Sequence, residues 1–251
     1  MSETLTSIDN SILTITLNRP EKRNALNDTL VNSLKDSLRE ADKNRNLRAV
    51  VIKGAGKDFC SGADLSALRK IAESDVMENL ADAENLLELF SMIRKIKIPV
   101  IAAVHGRALA GGCGLATACD LVLASRSARF GYPEVKIGFV AAMVMAILRR
   151  NLSEKRAFEL VTQGFDFSSE EAEKIGLINR VFDDETFDEE VKNYVSVYEK
   201  VSRSAVVLSK KLLYQIDGMT FAAALETGAE VNTIARLTED CQKGIARFLE
   251  K

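Results

Sequence analysis

The chain is poor in the residues that most often announce a reaction. One histidine, His105, and four cysteines stand in 251 residues, with three prolines and no tryptophan. Zinc sites draw on clustered Cys and His, and Cys60, Cys113, Cys119 and Cys241 contain no C-x-x-C pair, so no structural metal site is implied. Cysteines this sparse read as small, reduced, buried residues of a cytoplasmic protein rather than as a disulfide framework. The charge balance excludes more. With 34 basic against 36 acidic residues there is no basic footprint of the kind phosphate-backbone binding needs, which argues against nucleic acid as a partner. No membrane partner is expected either: the longest apolar run, Phe139–Leu148, is too short to span a bilayer. Met1–Asn10 lacks the basic and apolar regions of a secretory leader.

What is there is ordinary globular material, 47% hydrophobic and 28% charged, enough for one large core with a smaller appendage. Thr4–Ile8 and Ile12–Leu17 alternate around Asp9-Asn10-Ser11, which predicts two paired strands. Asn27 is a plausible N-cap for a helix whose apolar stripe is Leu30, Val31, Leu34, Leu38 and Ala41. Leu47–Ile52 reads as a buried strand, Leu80–Ile96 as a helix, Pro99–Val104 as a second buried strand, Leu109–Ala118 as a small-residue helix, and Leu121–Ala124 as a third strand. This alternation is α/β, with ligands expected at strand ends. Ser168 to Glu171 carries a capping-box pattern before a stop at Gly176, and Leu177–Val181 reads as extended. From Thr186 to Lys251 the pattern is helical, without proline.

Two glycine turns follow buried strands. Gly111-Gly112-Cys113-Gly114 opens a helix but fits neither a Walker loop nor G-x-G-x-x-G. It is either close helix–strand packing or a helix N-terminus whose free amides await an anion or oxyanion. Lys57-Asp58-Phe59-Cys60-Ser61-Gly62-Ala63-Asp64 is the second. Two such turns can aim backbone N–H groups at one point.

These residues also carry a resemblance. Asn18-Arg19-Pro20-Glu21-Lys22-Arg23-Asn24-Ala25-Leu26, Phe59 to Leu65, Pro99 to Gly106 running into Ala110-Gly111-Gly112-Cys113, Cys119-Asp120-Leu121, and Phe130-Gly131-Tyr132-Pro133-Glu134 stand in the order and spacing of the crotonase, or enoyl-CoA hydratase/isomerase, superfamily. The chain resembles that superfamily over nearly its whole length. The resemblance implies a ClpP-like crotonase spiral of repeated ββα units over 1–185 that carries an acyl-CoA site. A helical trimerisation region over 186–251 follows, with assembly as a homotrimer or dimer of trimers.

Carried over by position, the resemblance places two oxyanion donors on the backbone N–H groups of Ala63 and Gly111, and the acid/base group on Glu134. Without it, Glu134 reads as an exposed charge before an edge strand. An apolar setting of Tyr132, Ile137 and Phe139 is expected to raise its pKa. Many hydratases of this family carry a second glutamate at the place that Gly114 fills here. Lys22, Arg23, Ala25 and Lys57 are the candidates to hold CoA, with Phe248 and Lys251 reaching a neighbouring subunit's CoA; any one of the lysines or Arg23 can equally be a solvated surface charge. No resident cofactor is implied, since coenzyme A arrives as part of the substrate. His105 and Cys113 read as structural, Asp64 as the anchor of its turn and Asp120 as a cap of local backbone. Hydration of a 2-enoyl-CoA, in fatty acid metabolism, is the leading expectation. Isomerisation of a 3-enoyl-CoA by a single Glu base is the second, and an impaired acyl-CoA-binding protein the third. Acyl length is expected to depend on 68–80 and 141–145.

Overall fold

The computed structural model describes residues 2–250, apart from the side chain of Leu65. β1 (Thr4–Asp9) and β2 (Ile12–Leu17) form the expected hairpin, with Thr4 opposite Leu17. α1 (Asp28–Lys43) starts where Asn27 accepts a hydrogen bond from the Leu30 amide, and its predicted stripe is buried throughout. β3 (Ala49–Gly54) follows. α2 (Leu65–Glu73) was not visible in the apolar spacing. α3 (Val76–Lys95) begins earlier than the spacing predicts, because Asp75 and Glu78 satisfy each other's backbone N–H groups in a capping box.

β4 (Val100–Val104) and β5 (Arg107–Leu109) lead into α4 (Gly111–Ala118). Leu109, expected at the head of that helix, belongs instead to β5: its N–H donates to the Cys60 carbonyl at 3.0 Å and its Cα pairs with Gly131. Two alternating apolar residues are too short a signal to reveal such a strand from sequence. β6 (Leu121–Ser125), β7 (Arg129–Gly131), α5 (Ala142–Asn151), α6 (Glu154–Gln163), β8 (Asp166–Ser168), α7 (Ser169–Lys174) and β9 (Arg180–Phe182) complete the sheets. The first sheet runs β1-β2-β3-β4-β6-β9, parallel beyond its first pair, and the second runs β5-β7-β8.

The period of two along the parallel strands divides the core. Ile15, Val50, Ile52, Ala102 and Val122 face the large cluster under α1, α3 and α4, while Ile12, Val51, Ile101 and Leu123 face the other way. That second face is covered by α8 (Phe187–Val195) through Phe187, Val191 and Val195. The helical stretch expected from 186 therefore begins by closing the sheet.

α9 (Val197–Lys200) and α10 (Arg203–Gln215) come next. α10 is fastened by a buried ion pair: Lys210 Nζ donates to Asp120 Oδ2 at 2.6 Å and to the carbonyls of Ile93 and Ile98. Asp120 does cap local backbone, accepting from the Val100 amide, and it also accepts from the Tyr214 hydroxyl at 2.7 Å. α11 (Phe221–Arg236) and α12 (Glu239–Leu249) bury no residue, and Phe221, Leu237 and Phe248 each stand about four-fifths exposed. Among the described residues, no helix is long and apolar enough to cross a membrane.

Candidate active site

Three chain segments converge at the exits of β2, β3 and β5. After β2 the chain makes a short 3-10 turn at Pro20–Lys22, then holds Arg23 and Asn24 at positive φ, 51° and 53°. Non-glycine residues in that region cost energy and persist only where their surroundings enforce them. Asn24, fully buried, is the enforcing group. Its Oδ1 accepts from the Arg19 amide, and its Nδ2 donates to the carbonyls of Ala55 and Asp58, both at 2.8 Å. The loop carrying Lys22, Arg23 and Ala25 is thereby tied to the loop carrying Lys57. All three cationic side chains are exposed beside one another's loops, and Ala25 is buried.

The second segment is the turn at 60–64. Leu26 bridges it: its N–H donates to the Gly62 carbonyl at 2.7 Å and its carbonyl accepts from the Asp64 amide at 2.9 Å. Leu26 thus engages the residues on either side of Ala63, and in parallel pairing the residue between turns its own N–H and C=O the other way. Among the described residues, the Ala63 amide donates to no protein acceptor. Asp64 caps α2, accepting from the Ser66 amide at 2.9 Å, and this bond, with help from Arg19, holds its carboxyl down at about 2.

The third segment is the entry to α4. Ala110 sits at φ 49° and ψ −128°, a conformation that L residues rarely adopt, and releases the helix so that Gly111 is its first residue. The Gly111 amide also donates to no protein acceptor among the described residues, as expected of a first-turn N–H. The two turns touch. A Cβ on Gly62, where φ is +96°, would lie 2.9 Å from Ala110 Cβ and 3.7 Å from the Gly111 nitrogen; a Cβ on Gly112 would lie 2.3 Å from the Cys60 carbonyl oxygen. Both reasons offered for the glycines hold together here: close packing and free amides.

Glu134 lies at the start of a 3-10 helix, Pro133–Ile137, rather than before an edge strand. Its Oε2 is buried and meets no hydrogen-bond partner, and burial raises its pKa. Of the three apolar neighbours expected to build that setting, Tyr132 is fully buried, but Ile137 and Phe139 are 64% and 41% exposed. The turn into the 3-10 helix carries those two outward. The Glu134 charge also bears on the buried Tyr132 and on Cys113 of α4. Burial pushes the Cys113 thiol up to about 12, which leaves it protonated and no nucleophile. His105 Nε2 lies 3.0 Å from the Gly56 carbonyl, a supporting contact for the loop after β3.

Gly114 is buried in the second turn of α4. A Cβ there would stand 2.7 Å from Val144 Cγ2 of α5 and 3.1 Å from Phe90 Cζ of α3. The place is filled by apolar side chains. Phe248 lies on exposed α12, and Lys251 falls outside the described residues. Arg19, Asn24 and Lys210 are the participants that periodicity did not single out, because buried polar residues look like surface ones until their partners are placed.

Sheet order and the paired glycine turns define a crotonase-type α/β fold. An enoyl-CoA hydratase of Mycobacterium smegmatis superposes with a TM-score of 0.95 at 31% identity, covering 99% of this chain and 96% of that one. Human enoyl coenzyme A hydratase domain-containing protein 3 superposes with a TM-score of 0.93 at 28% identity, covering 99% and 97%. A 2,3-dehydroadipyl-CoA hydratase of Escherichia coli K12 is 34% identical over 100% of this chain and 97% of its own. Residues 7–251 match the enoyl-CoA hydratase/isomerase family, and the chain belongs to that family of acyl-CoA enzymes.

Proposed function

We propose that this enzyme stabilises a thioester enolate of an acyl-CoA, with the Ala63 and Gly111 amides as oxyanion donors and Glu134 as its single acid/base, and that its reaction is the reversible hydration of a 2-enoyl-CoA. The observation that carries this is the unpartnered, buried Oε2 of Glu134, together with the Ala63 and Gly111 amides that donate to no protein acceptor among the described residues. A positioned carboxyl of raised pKa suits proton transfer near neutrality. In hydration, Glu134 takes a proton from water as the water oxygen bonds to C3. The π electrons move to the thioester oxygen, held by the two amides, and Glu134 then returns the proton to C2. Preorganised donors of this kind are worth about 10²–10³ each. The hydratase relatives support this reading.

A second reading, 3-enoyl to 2-enoyl isomerisation, is favoured by the packing at Gly114. With Val144 and Phe90 against it, no second carboxylate has room on that side of α4, and moving a proton from C2 to C4 needs one base alone. The exposed cations Lys22, Arg23 and Lys57 suit the CoA phosphates. The uncovered apolar residues of α11 and α12 suit packing between copies as a homotrimer or dimer of trimers. Offering crotonyl-CoA and a 3-enoyl-CoA separately, while following the conjugated-enoyl absorbance, tests the assignment. Loss with the first is hydration, and gain with the second is isomerisation. Silence from both contradicts hydration and isomerisation alike and leaves another acyl-CoA reaction or acyl-CoA binding.

A further inference from the structure

Arg19 is an arginine buried where a surface loop would ordinarily need none. It is 9% exposed, and each guanidinium nitrogen faces an oxygen: Nη2 donates to Asp64 Oδ2 at 2.7 Å, Nη1 donates to the Ala25 carbonyl, and Nε lies 2.7 Å from Glu3 Oε2 as an ion pair. The first two partners flank the Leu26–Ala63 bridge, one on each chain segment. Asp64 follows Ala63 directly, and Ala25 precedes Leu26 directly. One rigid fork therefore joins Asp64 to Ala25, the residues next to the paired Ala63 and Leu26, and closes a ring with the Asp64–Leu26 backbone bond. The other Asp64 oxygen is held by the Ser66 amide and hydroxyl, both at 2.9 Å, so the carboxylate cannot swing without breaking the start of α2.

We propose that Arg19 is a positioning residue that fixes the direction of the Ala63 N–H through Asp64 and Ala25. The proposal rests on the reading of Ala63 as an oxyanion donor and adds what holds that donor in place. Arginine is required because its planar fork reaches a carbonyl and a carboxylate at once, whereas a lysine ammonium is a point charge on a flexible stem. The same fork joins the loop proposed to hold CoA to the turn proposed to hold the thioester, so the tail and the reacting carbonyl of one substrate are registered against a single side chain.

The test uses Arg19→Lys, which keeps the charge and loses the fork, and Asp64→Asn, which keeps a capping oxygen for Ser66 and loses the charge. Each full-length variant is compared with the wild type for kcat, KM, thermal midpoint and the absorbance band of a bound, unreactive conjugated enoyl-CoA. That band moves to longer wavelength when hydrogen bonds polarise the thioester carbonyl. The expected result is a fall in kcat of about 10- to 100-fold, part of the 10²–10³ for a lost donor, with KM little changed and a smaller red shift on binding. A merely structural role lowers the thermal midpoint and leaves the red shift and kcat as they are; that result in a folded variant overturns the proposal. A wild-type protein that binds the chromophore without any red shift overturns the underlying oxyanion reading, and the Arg19 assignment with it. If Arg19→Lys does not fold, Asp64→Asn alone decides by the same two readouts.

Discussion

Gly112→Ala is the smallest change that drives apart the two turns proposed to carry the oxyanion donors. Its Cβ would stand 2.3 Å from the Cys60 carbonyl oxygen and 2.8 Å from the Cys60 carbonyl carbon and Cβ. Two of these three obstacles are backbone, so no rotamer change relieves the contact. Reaching an ordinary contact of at least 3.4 Å requires the start of α4 to withdraw from the 60–64 turn by about 1 Å. Gly111 moves with α4 and Ala63 stays with Cys60, so the two amides proposed as donors are displaced from one another. A displacement of that size costs about 10²-fold in rate, and overpacking costs about 1–3 kcal/mol in stability. The latter is a fall of about 2–12 °C for a chain of this size. Steady-state kinetics well below the unfolding transition, beside a thermal melt, separate the two effects. KM is expected to hold, since Lys22 and Arg23 lie on another loop and Lys57, on the segment of Cys60, does not move with α4. Gly244→Ala on α12, where no atom lies within 4 Å of the new Cβ, serves as the control. A Gly112→Ala protein with near wild-type kcat and a lowered melting point would refute the reasoning.

Three further predictions concern the surroundings. Lys210→Met takes the buried ammonium from the partly buried Asp120 carboxylate; losing one partner of a buried pair costs about 3–5 kcal/mol, seen as a thermal midpoint lower by about 6–20 °C. A change under about 1 kcal/mol would mean that water replaces the ammonium. Glu134 is raised by burial, so its folded pKa lies above its unfolded value of about 4.3. Its favourable contribution is complete below the unfolded pKa and is lost as pH rises through the folded one. Glu134→Gln is therefore expected to raise the melting point at pH 7 relative to pH 4, and a lower melting point at pH 7 would contradict that sign. Gly114→Glu is expected to bring no gain in hydration rate and to lose about 1–3 kcal/mol, since its Cβ meets Val144 at 2.7 Å. Adding Val144→Ala relieves that contact, and calorimetry of the single and double variants reads the recovery.

The sequence carried the parts of the fold whose periods are long. The β1–β2 hairpin and α1 with its Asn27 cap stand where alternation and 3.6-residue spacing predict them. β5 was hidden because three residues give no period, and its strand character comes from Cys60 and Gly131, far away in the chain. The same limit applies to the site. The glycine turns were legible as a pattern, because amides freed at strand ends depend on local backbone, whereas Glu134 was marked only by the family resemblance. The Ile137 and Phe139 side chains were misplaced because a 3-10 turn rotates them away from the carboxyl. Arg19 and Asn24 could not be distinguished from loop polars, since their burial follows from Asp64, Ala55 and Asp58. The filled space at Gly114 depends on α3 and α5 arriving together, which no local spacing encodes.

The central claim, enolate formation by two amides and one carboxyl, is tested most directly by exchange of the α-protons of a saturated acyl-CoA in deuterated water, followed by NMR. Saturated substrates can be neither hydrated nor isomerised, so exchange reports the enolate alone. The wild type is expected to exchange them, and Glu134→Gln to lose that exchange by about 10²–10⁴ while still binding the thioester. Exchange that survives Glu134→Gln undiminished, or a wild type that turns over enoyl-CoA without exchanging α-protons, would contradict the account.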